Sequence, residues 1–173
     1  MNKAFTIIEI LVYTAVLVLI MTAVGAVLFW SLKLQTKTKI ITEVSINAEV
    51  AMQAILREIQ NGQSIYAPSS VFGSNPGQLS IKTKNYAQGE DYSYIDFFLC
   101  EARLCFKKEG QNSITITSST VEINNLIFSL IGSGDFKAVQ ITLGIQYNSS
   151  SIKPEYNAQE TIQSTAAIRS PKP

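Results

Sequence analysis

The stretch that decides the fold is residues 10–32, ILVYTAVLVLIMTAVGAVLFWSL, which contains no charged residue. Glu9 precedes it and Lys33 follows it. A helix of this length extends roughly 34 Å, which is enough to cross the hydrocarbon core of a bilayer. Its apolar residues fall on every face, and aromatic residues lie towards both ends, as is typical of membrane helices. The sequence therefore predicts a transmembrane helix over residues 5–34.

A cleaved secretory signal peptide is the first alternative to this prediction. Residues 1–3 would supply its charged start, and residues 24–26 a small-residue cleavage site. The apolar stretch is, however, longer than the usual apolar region of about 7 to 15 residues, and Glu9 sits where that region should begin. These two features favour a retained membrane helix.

The helix is predicted to continue beyond the membrane. No proline occurs before Pro68, and residues 35–61 are rich in helix formers up to Asn61 and Gly62, which form a suitable helix end. Apolar residues recur at steps of three and four and so share one face: Ile41, Val44, Ala48, Ala51, Met52, Ile55, Leu56 and Ile59. Polar residues fall elsewhere on the helix: Lys37, Glu43, Asn47, Gln53 and Arg57. This second half is therefore amphipathic and needs a surface to cover.

After Gly62 the hydrophobic pattern changes to steps of two, which is typical of strands. The predicted strands are residues 79–83, 94–97, 113–117, 121–123, 139–147 and 162–168. The connections between them carry glycine, proline, asparagine and serine, which favour an antiparallel meander over a parallel sheet with crossover helices. We expect residues 62–173 to form a β-rich globular domain that packs one face of its sheet on the amphipathic half-helix. The predicted fold class is α+β.

Composition narrows the function classes. The chain has 173 residues, a net charge of +1 and no histidine. A near-neutral chain without a run of like charges lacks the basic surface that nucleic-acid binding requires. Without histidine it also lacks the usual general base and the commonest transition-metal ligand, and it carries no nucleophile, phosphate-binding or dinucleotide motif. We expect neither an enzyme nor a bound cofactor or metal.

The two cysteines, Cys100 and Cys105, flank four residues. This spacing can close a disulfide across a hairpin if the Cα atoms come within about 7 Å. Two buried thiols are the other interpretation, and the sequence alone leaves both open.

The N-terminal residues carry a family resemblance. Residues 4–12, AFTIIEILV, follow a short leader and precede the apolar helix, and this arrangement resembles the N-terminus of type IV prepilins and type II secretion pseudopilins. The resemblance implies that prepilin peptidase removes the leader, residues 1–4, and that the new N-terminal Phe5 is N-methylated. It also implies that Glu9 is the acidic residue at the fifth mature position. One departure is Ala4, where the family usually has glycine just before the cut.

Physical reasoning about Glu9 leads in the same direction. A carboxylate in a membrane helix is costly to bury, and no lysine or arginine lies between Glu9 and Lys33. The amine of Phe5, freed by processing, would be substantially protonated at neutral pH. In the family view, Glu9 of one subunit pairs with the Phe5 amine of its neighbour and sets the register of a filament. The alternative is a Glu near a helix N-terminus, favoured by the helix dipole and touching only lipid headgroups.

The rest of the chain resembles minor pilins and J-type pseudopilins more loosely, through residues 54–59, 121–130 and 163–169. The function predicted from these resemblances is a membrane-stored subunit of a type IV pilus or type II secretion pseudopilus. Its expected partners are other pilin or pseudopilin subunits, prepilin peptidase, an inner-membrane assembly platform and the lipid bilayer. A different class of function is a monomeric, membrane-anchored β-domain that binds a ligand or partner, which would keep Met1 and tolerate Glu9→Ala.

The side of the membrane on which the domain lies follows from the resemblance. The prepilin motif requires a cytoplasmic leader, which places the domain on the non-cytoplasmic side of a single-pass protein. Lys33, Lys37 and Lys39 after the apolar stretch favour the opposite orientation by the positive-inside rule, but the charge difference across the helix is small.

Overall fold

The structure is a computed structural model that describes residues 6–84, 91–132, 138–151 and 153–168. One long helix, α1 (Ile7–Asn61), is followed by eight strands. The strands are β1 (Ser64–Ile65), β2 (Leu79–Lys84), β3 (Tyr92–Cys100), β4 (Arg103–Lys108), β5 (Ile114–Thr115), β6 (Val121–Ile131), β7 (Ala138–Tyr147) and β8 (Gln159–Ala167). The predicted α+β class, a long N-terminal helix on antiparallel sheet, is confirmed.

The strands form two antiparallel sheets, where the sequence had predicted one. Strands β1 to β5 pair in chain order, and strands β6 to β8 form a second sheet. α1 packs chiefly on β8 and β7, and also contacts β2 and β6. The two sheets therefore share one core beneath the helix, which includes Phe97 from the first sheet and Phe128 from the second.

The buried stripe of α1 largely matches the sequence pattern. The buried residues are Ile40, Val44, Ala48, Ala51, Met52, Ile55 and Ile59, and Leu56 is half-buried against the core. The prediction for Ile41 was wrong, because Ile41 is 48% exposed and its neighbour Ile40 is 4% exposed. Both residues fit a three- or four-residue step to Val44, so periodicity alone could not choose between two adjacent isoleucines.

The end of α1 is fixed by the close approach of Gly62 to Ile81. The backbone N–H of Gly62 donates to the carbonyls of Glu58 and Ile59, as expected at a helix end. Gly62 has an ordinary negative φ, so it is not needed for a left-handed turn. A Cβ at this position would instead collide with the side chain of Ile81 on β2. The glycine therefore lets the chain turn tightly from the helix onto the first sheet.

The strand predictions were correct in most positions, but four strands differ from them, beginning with β1, which was not predicted. β6 is much longer than predicted because the alternation of buried residues changes phase at a bulge between Ile123 and Asn125. The predicted strand 113–117 is reduced to the two residues of β5. β4 was missed altogether, since its buried residues Leu104 and Cys105 are adjacent and break the two-residue period. The predicted turns at 88–91 and 132–135 lie largely outside the described residues.

Candidate functional site

The first half of α1 lies apart from the folded domain. Its large apolar side chains from Ile7 to Leu34 are each at least 43% exposed, and none of the most apolar 18-residue window is buried. By length and composition this is a helix that could cross a membrane, as an anchor or as a signal sequence. Burying a single large apolar side chain is worth about 1.5 to 3 kcal/mol, so water is an unfavourable surrounding for the whole segment by tens of kcal/mol. An apolar surrounding such as a bilayer therefore suits this segment better than water does.

Glu9 lies in the first turn of this exposed segment. Its backbone N–H donates to the carbonyl of Thr6 at 3.1 Å, and its side chain is exposed. In the part of the chain that the structure describes, the ion pairs are Arg57 with Glu58 and Arg103 with Glu101, so Glu9 joins neither. The two predicted processing residues, Ala4 and Phe5, lie outside the described residues. The proposed contact between Glu9 and the Phe5 amine of a neighbour therefore stays a prediction.

The second half of α1 carries polar contacts that sequence reasoning missed. The Asn47 side-chain oxygen accepts a hydrogen bond from the Ser118 backbone N–H at 2.9 Å. The Glu43 carboxylate accepts one from the Thr120 hydroxyl at 2.8 Å. The sequence pattern places both residues simply on the polar part of the helix. They lie at the edge of the buried stripe, where a polar side chain reaches the segment between β5 and β6, and no local pattern marks such a long-range contact.

An open groove lies between α1 and the first sheet. It has a volume of about 400 Å³, and its lining includes Val50, Phe106 and Ile116, with Arg57 and Glu58 also contributing. Val50 is 47% exposed. The groove is open and mostly apolar, and the charged groups in its lining, Arg57 and Glu58, form an ion pair with each other at 3.6 Å.

The two cysteines lie in the hairpin between β3 and β4. Cys100 ends β3 and Cys105 lies in β4, and the structure joins their sulfur atoms in a disulfide with the Cα atoms 5.8 Å apart. Cys105 is buried and its sulfur lies 3.7 Å from the Thr115 hydroxyl oxygen. Across the described ranges, no three acidic or cysteine side chains gather in a group that could hold a metal ion.

The long apolar helix packed on antiparallel sheets is a pilin-like architecture. Comparisons of the chain with protein-family models, with curated protein sequences and with solved structures found no match.

Proposed function

We propose that this chain is a filament subunit, a minor pilin or pseudopilin that is stored in the cell membrane and assembles through the apolar half of α1. The observation that carries the proposal is the exposure of the large apolar side chains of that half beside a well-packed domain. A bilayer covers the segment before assembly. A bundle of the same helices from neighbouring subunits covers it afterwards, so one surface serves both states.

Glu9 distinguishes a filament helix from a simple anchor. In an anchor, a carboxylate at the edge of the apolar segment gains only the favourable interaction with the helix dipole, and inserting the charge costs free energy. A filament subunit gains a register, since the carboxylate is neutralised only when an amine of the next subunit lies opposite it. Processing between Ala4 and Phe5 would create that amine. A head-to-tail contact of this kind produces an open filament when its rotation does not close into a ring.

The partners follow from this assignment. They are other pilin or pseudopilin subunits, a prepilin peptidase that cleaves after Ala4, and an assembly platform in the inner membrane. The domain would lie on the non-cytoplasmic side, and the disulfide between Cys100 and Cys105 supports that side because such bonds persist in oxidising compartments. The chain would act by assembly and not by catalysis.

The decisive experiment measures incorporation of Glu9→Ala into filaments sheared from cells of the native host. We expect the variant to insert in the membrane and fold normally but to be depleted from the filament fraction by roughly tenfold or more, the effect of losing about 1.4 kcal/mol at each subunit contact. Glu49→Ala is the matched control, because Glu49 is an exposed Glu on the same helix outside the apolar half. Equal incorporation of both variants would contradict the proposed role of Glu9.

Mass spectrometry of the N-terminal peptide from native membranes completes this test. A peptide that begins at N-methylated Phe5 would place the chain in the pilin pathway despite Ala4. An intact Met1 would instead favour the anchored β-domain that binds a ligand or partner. A terminus near Val27 would indicate a cleaved signal peptide and a secreted domain.

A further inference from the structure

The hairpin that carries the disulfide has an unfavourable turn. Its two central residues, Glu101 and Ala102, have φ of 49° and 59°. Two positive φ values in a two-residue hairpin loop are the feature of a type I′ turn, which strongly favours Asn-Gly. Side chains with a Cβ pay a conformational cost in this region. These are also the only two non-glycine residues with positive φ in the described ranges. The turn sequence therefore does not favour its own conformation.

The disulfide holds this turn closed. Cys100 is paired with Arg103 and Cys105 with Phe98, so the sulfur–sulfur bond joins diagonal positions of the hairpin. Diagonal neighbours on antiparallel strands usually lie about 7 to 8 Å apart, and the Cα atoms of the two cysteines are 5.8 Å apart. The cross-link therefore joins the two strands at close range directly beside the turn.

The turn is also the place where the two sheets meet. The Ala102 carbonyl accepts a hydrogen bond from the backbone N–H of Ile123 on β6 at 2.7 Å. Two residues further along, the backbone carbonyl of Leu104 accepts a hydrogen bond from the Ile116 N–H at 2.8 Å. The backbone N–H of Leu104 donates to the hydroxyl of the buried Thr117 at 3.1 Å. These bonds hold the segment between β5 and β6, which Asn47 contacts from the other side. A loss of the turn geometry would therefore loosen the junction of the sheets.

We infer that the Cys100–Cys105 disulfide is a redox-sensitive clamp that keeps the Glu101–Ala102 turn in the conformation needed to join the two sheets. Reduction by a dithiol transfers two electrons and two protons to the two sulfurs, which become thiols while the reductant becomes a disulfide. The turn then relaxes and the Ala102 carbonyl releases the Ile123 N–H. In the cell, a disulfide-bearing oxidant accepts the two electrons and two protons and closes the clamp. This inference concerns the isolated subunit and does not depend on filament assembly.

The clamp is tested by amide hydrogen exchange on the full-length chain in detergent micelles, oxidised and after reduction with dithiothreitol. We expect the Ile123 amide to exchange at least roughly tenfold faster after reduction, the factor that corresponds to one lost backbone hydrogen bond. Amides of Ile141 and Leu143, in the middle of the second sheet, should change little. Equal acceleration at Ile123 and at these two positions, or no acceleration at Ile123, would overturn the inference.

A turn variant separates the clamp from a general effect of the cross-link. The double variant Glu101→Asn/Ala102→Gly supplies the dipeptide that a type I′ turn favours. If the disulfide acts by holding the turn, reduction of this variant should leave the Ile123 amide nearly as protected as in the oxidised wild type. Glu101→Gln is the matched control, since it removes only the exposed ion pair with Arg103 and should respond to reduction as the wild type does. Loss of Ile123 protection on reduction of the Asn-Gly variant would overturn the proposed mechanism.

Discussion

The two halves of α1 have similar backbone geometry and opposite surroundings. From Ile7 to Leu34 the large apolar side chains are exposed all round the helix. From Ile40 to Ile59 most apolar side chains lie on one stripe and are buried against the sheets, while Ile41, Ile46 and Val50 lie off it and are exposed. One continuous helix therefore passes from a segment that needs an apolar environment to one that is stabilised by its own domain. The spacing of apolar residues along the helix thus predicts which part of it packs on the domain. The overall apolar content of a segment predicts which part lies outside the domain.

The strongest test of this comparison introduces the same charge into each half. Ile55 is fully buried in the domain core, and Ile20 is 55% exposed in the apolar half. We expect Ile55→Asp to prevent folding of the domain, because an unpaired carboxylate in the core costs several kcal/mol, a large part of the total stability of a domain. Circular dichroism and trypsin sensitivity of the purified chain would measure this loss.

The counterpart Ile20→Asp should leave the domain folded and reduce the fraction of protein in membranes. A central aspartate costs roughly 2.5 to 3.5 kcal/mol on insertion scales, where isoleucine is favourable. Cell fractionation measures this effect, and trypsin resistance of the domain is its control. A folded Ile55→Asp domain would contradict the role of the buried stripe in stabilising the domain, and an unfolded Ile20→Asp domain would mean that the two halves are not independent.

The sequence predicted those parts of the fold that depend on local patterns. The charge-free stretch, the helix end at Gly62 and the apolar stripe were readable, because each depends on residues within a turn or two of one another. The division into two sheets could not be predicted from such patterns. The same is true of β4, whose adjacent buried residues hide its alternation, and of the full length of β6, where two asparagines at the bulge after Ile123 shift the phase. Long-range pairing, and not local propensity, determines both features.

A smaller effect is expected from two adjacent isoleucines that the sequence could not tell apart. Ile40 is buried at the end of the stripe, outside the main core cluster, and Ile41 is largely exposed. We expect Ile40→Ala to lower the free energy of unfolding by about 2 kcal/mol, the low end for a buried isoleucine. Ile41→Ala should change it by less than about 0.5 kcal/mol. Urea unfolding of the chain in micelles measures both, and a larger cost for Ile41→Ala would show that the helix is rotated relative to its packing here.

The sequence could point to candidate site residues only where a local pattern within one segment marks them. The position of Glu9 before the charge-free stretch marks it as an assembly residue, a role that stays a prediction. The cysteine spacing left a disulfide and two buried thiols open, and the structure has the disulfide. The role of the turn between the cysteines was not readable, because the Ile123 N–H that it holds lies in another sheet. For the same reason Glu43 and Asn47 looked like ordinary polar residues of the helix surface, although both reach the segment after β5.

Asn47 tests, with the smallest expected effect, whether polar contacts help to hold the packed half of α1 on the domain. Its side-chain oxygen accepts from the Ser118 N–H, and its side-chain nitrogen donates to the Glu43 carbonyl at 2.9 Å. Because Asn47→Ala leaves the half-buried Ser118 N–H without its partner, we expect a loss of about 1 kcal/mol in the free energy of unfolding. Gln53→Ala, on the exposed side of the same helix, should change it by less than about 0.5 kcal/mol. Equal effects of the two substitutions would show that Asn47 acts as a surface residue and that apolar contacts alone hold α1 on the domain.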